Sequence, residues 1–139
     1  LALYASEAAR VDRVLSDLRA HSMQLAITPI AVWLYGSAAR GDDGPLSDLD
    51  VVMIFQNDEH VASAVEAMRQ LLETTEAREC VRASVIGLSA RDVARLDSGD
   101  PWWATVRTDA MPLIGPSPET LGQRLSANAT HTSNRGDEG

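Results

Sequence analysis

The stretch from Leu34 to Phe55 constrains this chain more than any other. An apolar strand, Ile30 to Tyr35, runs into a Gly36-Ser37 turn. A short helical turn and a loop follow, and then a second apolar strand. Two carboxylates, Asp48 and Asp50, open that second strand. Side chains two positions apart on a strand point the same way. Asp48 and Asp50 therefore share a face with Val52 and Ile54, while Leu49, Val51, Met53 and Phe55 fill the other. Two acids on one face of an apolar strand repel each other and lose hydration unless something positive sits between them. A magnesium ion suits, because it takes hard oxygen ligands and tolerates shared carboxylates and waters.

The turn ahead of the acids supplies the other half of a site. Gly36 allows a sharp turn and a close approach by a ligand. A helical turn starting at Ser37 would point free N–H groups at an anion. The Ser37 hydroxyl adds one hydrogen bond, and Arg40 adds a forked cationic one. A phosphate cradle beside a metal-binding pair is what phosphoryl or nucleotidyl transfer requires, since that chemistry is mostly positioning and neutralisation of charge.

Taken together, Gly36-Ser37, Arg40-Gly41, Ser47-Asp48 and Asp50 resemble the signature of the minimal nucleotidyltransferases of the polymerase-beta-like superfamily. The resemblance extends from about Val32 to about Gly115. It implies that the Gly-Ser turn holds a nucleoside triphosphate and that Asp48 and Asp50 are catalytic and hold magnesium. Gly36, Ser37, Arg40 and Ser47 form the expected nucleotide-contacting set, with Ser47 also fixing the loop. The resemblance further implies a third carboxylate on a later strand, near Arg82 to Ser84; no acid occurs from Cys80 to Arg91.

Composition sets outer limits. A chain of 139 residues with 45% hydrophobic content fits one soluble globular domain. The net charge of −8 argues against a broad nucleic-acid-binding face, which needs clustered Lys and Arg, but leaves room for a metal-neutralised nucleotide. The lone Cys80 excludes an internal disulfide and fits a reducing cytoplasm. No apolar run approaches the roughly 20 residues of a membrane helix, and no signal peptide is evident. The chain does not begin with Met, which is compatible with a missing N-terminal domain.

The remaining elements follow in order. Val11, Val14, Leu15 and Leu18 predict a helix from about Glu7 to His21, capped by Ser6. Residues 41–45 are a turn by composition, and Asp42 and Asp43 read as solvated turn acids. Val61, Ala64, Val65, Met68, Leu71 and Leu72 form a helical stripe, with Met68 as core filler and His60 at the helix start. The segment from Glu79 to Leu88 reads as a strand. Ser89 and Asp92 form a capping box for the helix that follows, so Asp92 is structural. Asp100-Pro101 starts another helix, in which one of Trp102 and Trp103 belongs to the core and the other to a groove edge. Met111 to Ile114 is a short edge strand because of Pro112. Ser117-Pro118 starts a brief helix to about Leu125, and 126–139, including His131, reads as a disordered tail.

The expected fold is therefore α/β (α+β): one nucleotidyltransferase-like domain over 1–125, with a mixed sheet of about four strands and helices mainly on one face. The resemblance implies a magnesium-dependent enzyme. It would transfer a nucleoside monophosphate from a triphosphate, ATP first among them, to a hydroxyl of a protein or small molecule. Small relatives act as antitoxins that adenylylate a partner toxin, so a protein partner or a homodimer is compatible. The alternative is a nucleotide-binding or regulatory module without turnover, of the kind found after a winged-helix domain.

Overall fold

The computed structural model describes the backbone of residues 2–36 and 46–138, and side chains over 7–36 and 46–128. Ser37 and Arg40, with Asp42 and Asp43, lie outside the described residues.

Helix α1 (Ala2–Gln24) leads into β1 (Ala31–Tyr35), and β2 (Asp48–Phe55) returns antiparallel beside it. A single 3-10 turn (Asp58–His60) and helix α2 (Val61–Glu79) carry the chain over to β3 (Arg82–Ser89), which runs parallel to β2. Two short helices follow, α3 (Ala90–Leu96) and α4 (Pro101–Asp109). Strand β4 (Met111–Ile114) then pairs antiparallel with β1, and helix α5 (Pro118–Glu138) ends the described chain. The expected mixed four-stranded sheet is present, in the order β3-β2-β1-β4. Pro112 sits on the edge strand β4, where its missing N–H breaks no inner ladder.

Alternation along β1 and β2 divides the core in two. On one face Val32, Leu34, Leu49, Val51, Met53 and Phe55 pack with Val14 and Leu18 of α1 and Met68 and Leu72 of α2. On the other face Ala31, Trp33, Val52 and Ile54 pack with Val93 of α3, Trp103 and Val106 of α4 and Leu121 of α5. Helices α1 and α2 thus share one face, and α3, α4 and α5 cover part of the other. Trp33 and Trp103 meet with ring centroids 5.7 Å apart. Their indole N–H groups donate to the Pro116 carbonyl and to Asp97 Oδ1, both at 2.8 Å, so neither ring buries an unpaired donor.

Local signals account for the helix starts. The Ser89 hydroxyl accepts from the Asp92 N–H while Asp92 accepts from the Ser89 N–H, a closed capping box. Those bonds, the one from the Ser89 backbone foremost, hold the Asp92 carboxyl below its usual range. Asp100 accepts from the Trp103 N–H at 2.9 Å, with Pro101 in the first turn of α4.

Two helices differ from the sequence expectation. Helix α1 starts at Ala2 rather than Glu7 and runs on to Gln24. Alanine-rich sequence before Glu7 carries no breaker, and the first proline is Pro29. Helix α5 continues to Glu138 where an unstructured tail is expected from 126. No proline interrupts it after Pro118, and extending a formed helix adds one hydrogen bond per residue without a new nucleus.

An ion-pair network joins α1 to the end of α2. Glu79 is only 4% exposed and accepts from Arg13 at 2.9 and 3.0 Å and from Arg78 at 2.8 Å. Arg78 also pairs with Asp17, which accepts from Thr75 at 2.7 Å. Hydrogen bonds from Arg13 first, then Arg78, hold the Glu79 carboxyl down to about 2 from an ordinary 4.5. A depressed carboxyl pKa adds stability that is complete above the unfolded value and fades as pH falls towards the folded one. The urea midpoint is therefore expected to fall between about pH 4.5 and pH 2. Glu79→Gln is expected to lower the midpoint at neutral pH and to flatten its decline in that window. Parallel native and variant curves would show that Glu79 carries none of this acid sensitivity.

Candidate functional site

The end of β1 and the start of β2 meet at the acids. Tyr35 is the last residue of β1 and pairs with Asp50. Leu49, between the two acids, is 1% exposed and packs into the α1–α2 side of the core. Its burial fixes Asp48 and Asp50 on the opposite face, where Asp48 is exposed and Asp50 half-buried. Burial first, and then the charge of Asp48, push the Asp50 carboxyl above its usual range. Among the described residues, neither acid has a hydrogen-bond or ion-pair partner.

Gly36 completes the geometry. Its φ of +86° is a conformation that residues with a Cβ rarely adopt. A Cβ built there would lie 2.7 Å from Asp50 Oδ2. The glycine thus lets the turn pass directly over the carboxylate. Ser47 is exposed, and its carbonyl accepts the Arg82 N–H at 2.9 Å, which starts the β2–β3 ladder and fixes the loop.

Strand β3 lies alongside with its residues in parallel register. Arg82 pairs with Asp48 and Ser84 with Asp50, and both β3 side chains are exposed. These are the positions near which the sequence resemblance implies a third carboxylate. Among the described residues no group of three or more His, Cys, Asp or Glu is gathered. The acid pair still fits a hard divalent cation. It offers two oxygen-donor side chains on one face with, among the described residues, no cation paired to them, and a glycine clears the space at Asp50.

The other side chains considered from sequence lie elsewhere or have structural roles. His60 follows the far end of β2 and faces Glu59 at 3.4 Å. Met68 is fully buried, and Asp92 is spent on its cap. Trp103 belongs to the core. Trp102 is half-buried and meets Tyr35 edge-on, with centroids 6.2 Å apart. Tyr35 is the residue that sequence reading passed over. Its position at the end of β1, directly before the glycine turn, was the available signal.

A change at Gly36 tests this geometry. Gly36→Ala is expected to lower stability by about 1–3 kcal/mol through backbone strain alone. The Asp50 carboxylate must also move away from the new methyl. A urea midpoint equal to that of the native chain would rule the close approach out.

A family model described as polymerase beta, nucleotidyltransferase, matches residues 21–85. No curated protein matches the chain in sequence. Among solved structures, a toxin-antitoxin structure with AMP-PNP is similar at 14% identity. That likeness covers 87% of this chain and 90% of the other, with a TM-score of 0.53. A second similar structure is a variant of the toxin-antitoxin pair MntA-HpeT in which two aspartates, two positions apart, are changed to glutamate. It is 14% identical and covers 90% of each chain, with a TM-score of 0.50. These likenesses extend the nucleotidyltransferase fold beyond the matched residues. The matched residues 21–85 run through Gly36, Asp48 and Asp50, so the chain is similar to the polymerase beta nucleotidyltransferase family over the stretch that carries the acid pair.

Proposed function

We propose that this chain is a magnesium-dependent nucleotidyltransferase acting in the cytoplasm. It moves a nucleoside monophosphate from a triphosphate, ATP by preference, to a hydroxyl on a partner protein, as the antitoxin of a toxin-antitoxin pair. The observation that carries this reading is the acid pair on the open face of β2, beneath the Gly36 turn. The fold likeness to a toxin-antitoxin protein studied with AMP-PNP supports the choice of ATP and of a protein acceptor.

In the reaction, the acceptor oxygen bonds to the α-phosphorus and the bond to the bridging oxygen breaks. Pyrophosphate leaves with that electron pair, and the hydroxyl proton passes to a base. Asp48 and Asp50 would hold magnesium, which supplies neutralisation of the charge that develops on the phosphates. Gly36, Ser37 and Arg40 would receive the β- and γ-phosphates, and Ser47 would fix the loop beside them.

A second reading, nucleotide binding without turnover in a regulatory module, draws on one observation. Arg82 and Ser84 lie opposite Asp48 and Asp50, near where the resemblance implies a third acid. A small-molecule acceptor or a homodimer completing the open cleft are variants of the first reading.

Calorimetric titration with ATP, GTP, CTP and UTP, with and without magnesium, is the deciding experiment. Native chain is expected to bind ATP only with magnesium, and Asp48→Asn/Asp50→Asn to lose that binding. The same double variant is expected to gain a few tenths to about 1 kcal/mol of stability at neutral pH, because it removes a solvent-screened repulsion. No binding of any triphosphate by native chain would sink the enzyme and the nucleotide-module readings together. Binding without transfer of label to any acceptor would favour the second.

Tryptophan emission gives an independent check. Trp33 and Trp103 are buried, so Trp102, against Tyr35, is the ring placed to sense the site. Magnesium and ATP together are expected to change the emission, and Trp102→Phe to abolish the change. A change that persists in Trp102→Phe would place the nucleotide away from Tyr35.

A further inference from the structure

Among the described residues, the strand ladder around Asp48 is incomplete. Pairing between β1 and β2 ends at Tyr35 and Asp50, two residues short of Asp48. On the other side, the Arg82 N–H reaches the Ser47 carbonyl and the ladder with β3 begins. Among the described residues, neither strand holds Leu46, just before. Helix α1 holds it instead. The Leu46 N–H donates to Glu7 Oε1 at 2.8 Å, and the Leu46 carbonyl accepts from Arg10 Nη2 at 2.7 Å. One side-chain pair therefore satisfies both backbone groups of one residue, as a neighbouring strand would.

The two side chains are themselves paired. Arg10 Nη1 donates to Glu7 Oε1 at 2.9 Å and to Oε2 at 3.2 Å. Arg10 also donates through Nε to the Glu79 carbonyl at 2.8 Å and through Nη2 to the Cys80 carbonyl at 3.4 Å. Those carbonyls end α2, where cations are favoured. Cys80 there takes a left-handed conformation, φ 54°. A single guanidinium thus joins three segments: the middle of α1, the end of α2 and the start of β2. Its planar fork suits this; a lysine ammonium has no equivalent geometry.

We propose that Glu7 and Arg10 are positioning residues for Asp48, holding the backbone of Leu46 as a strand neighbour would where the chain enters β2. The inference rests on the reading of Asp48 as a magnesium ligand. With Leu46 held, Asp48 is fixed from both sides, by α1 two residues before it and by β1 two residues after it. With Leu46 released, Asp48 keeps its β3 neighbour and the β1 pairing at Asp50 but loses its anchor on the N-terminal side, and its carboxylate is less firmly set relative to Asp50. Groups that orient a metal ligand typically change metal affinity by about 10–100-fold when lost.

Two measurements on the full chain test the proposal. Amide hydrogen exchange is followed by NMR without metal or nucleotide, and the magnesium concentration giving half-maximal ATP binding is found by calorimetry. Glu7→Ala and Arg10→Ala are expected to speed exchange at Leu46 about tenfold or more, with Val51 to Phe55 unchanged. Both are expected to raise the magnesium midpoint about tenfold or more. Glu7→Gln keeps the acceptor oxygen and is expected to stay near native, while Arg10→Lys falls between. Should the alanine variants fail to fold, the contrast between Glu7→Gln and Arg10→Lys carries the same test. An unchanged Leu46 exchange rate overturns the clamp. So does a native magnesium midpoint in a variant whose Leu46 exchange is accelerated. If native chain shows no magnesium-dependent ATP binding, the enzymatic reading fails, and the exchange data alone decide whether the clamp exists.

Discussion

The antiparallel pairing of β1 with β2 is the interaction on which the rest depends. Its register sets Trp33 against Val52 and Leu34 against Val51, and so deals each residue to one of two separate cores. A slip of one position would turn every side chain over. Asp50 would then point among Val14, Leu18 and Met68, where an unpaired charge is not tolerated. The bulky contact of Trp33 with Trp103 on one side, and of α1 and α2 on the other, makes that slip expensive twice. Register in this sheet is therefore held by burial, and the acids inherit their placement from it. Among the described residues the same pairing runs to Tyr35 and Asp50, beside the open face.

A second constraint acts at the other edge of β1. Gly115 turns the chain out of β4 with φ +73°, and a Cβ there would lie 2.1 Å from the Ile30 carbonyl. That carbonyl is backbone and cannot swing aside as a side chain could. The close approach lets the chain pass from β4 over β1 to Pro116, whose carbonyl takes the Trp33 indole proton. Trp33 is thus fixed by register, by its ring partner and by this turn at once. Gly36 and Gly115 do the same kind of work at opposite ends of β1, each allowing backbone to pass where a side chain would collide.

Legibility in the sequence follows the range of the interaction. The faces of β2 were readable because a strand's period of two is local and strict, and Leu49 between the acids behaves as that period demands. The caps at Ser89 and Asp100 were readable because their bonds span three residues. The extent of α1 was not, because alanine near a helix end extends it as readily as it frays. The length of α5 was not, because polar composition argues against a core and says little about a helix already begun at Pro118. The long-range partners of Arg10 were the least readable. They lie 36 to 70 residues away and are backbone carbonyls, which carry no side-chain signature. From sequence Glu7 looks like a helix-start acid, and only the tertiary fold brings Leu46 to it.

The charge pattern of the open face bears on how such a site divides its work. A third acid across from Asp48 or Asp50 would leave three negative groups to be offset. Here the parallel register puts Arg82 and Ser84 there, leaving two negative groups and one positive. A cation held between the acids and a guanidinium beside them both favour phosphate oxygens. Such a cation lowers the pKa of a bound hydroxyl, but neither it nor the guanidinium can take up the proton, and the Ser84 hydroxyl is too weak a base for it. The face is thus better furnished for gripping a polyphosphate and polarising a hydroxyl than for accepting the proton. Under the nucleotidyl-transfer reading, the base that takes the acceptor proton is then supplied from outside the described residues. A protein acceptor can bring one of its own, set beside its hydroxyl by the docked fold. A free small molecule would have to carry both groups itself. Under that same reading, Arg82 and Ser84 opposite the acids leave the proton-accepting role to a group that a docked protein acceptor can bring.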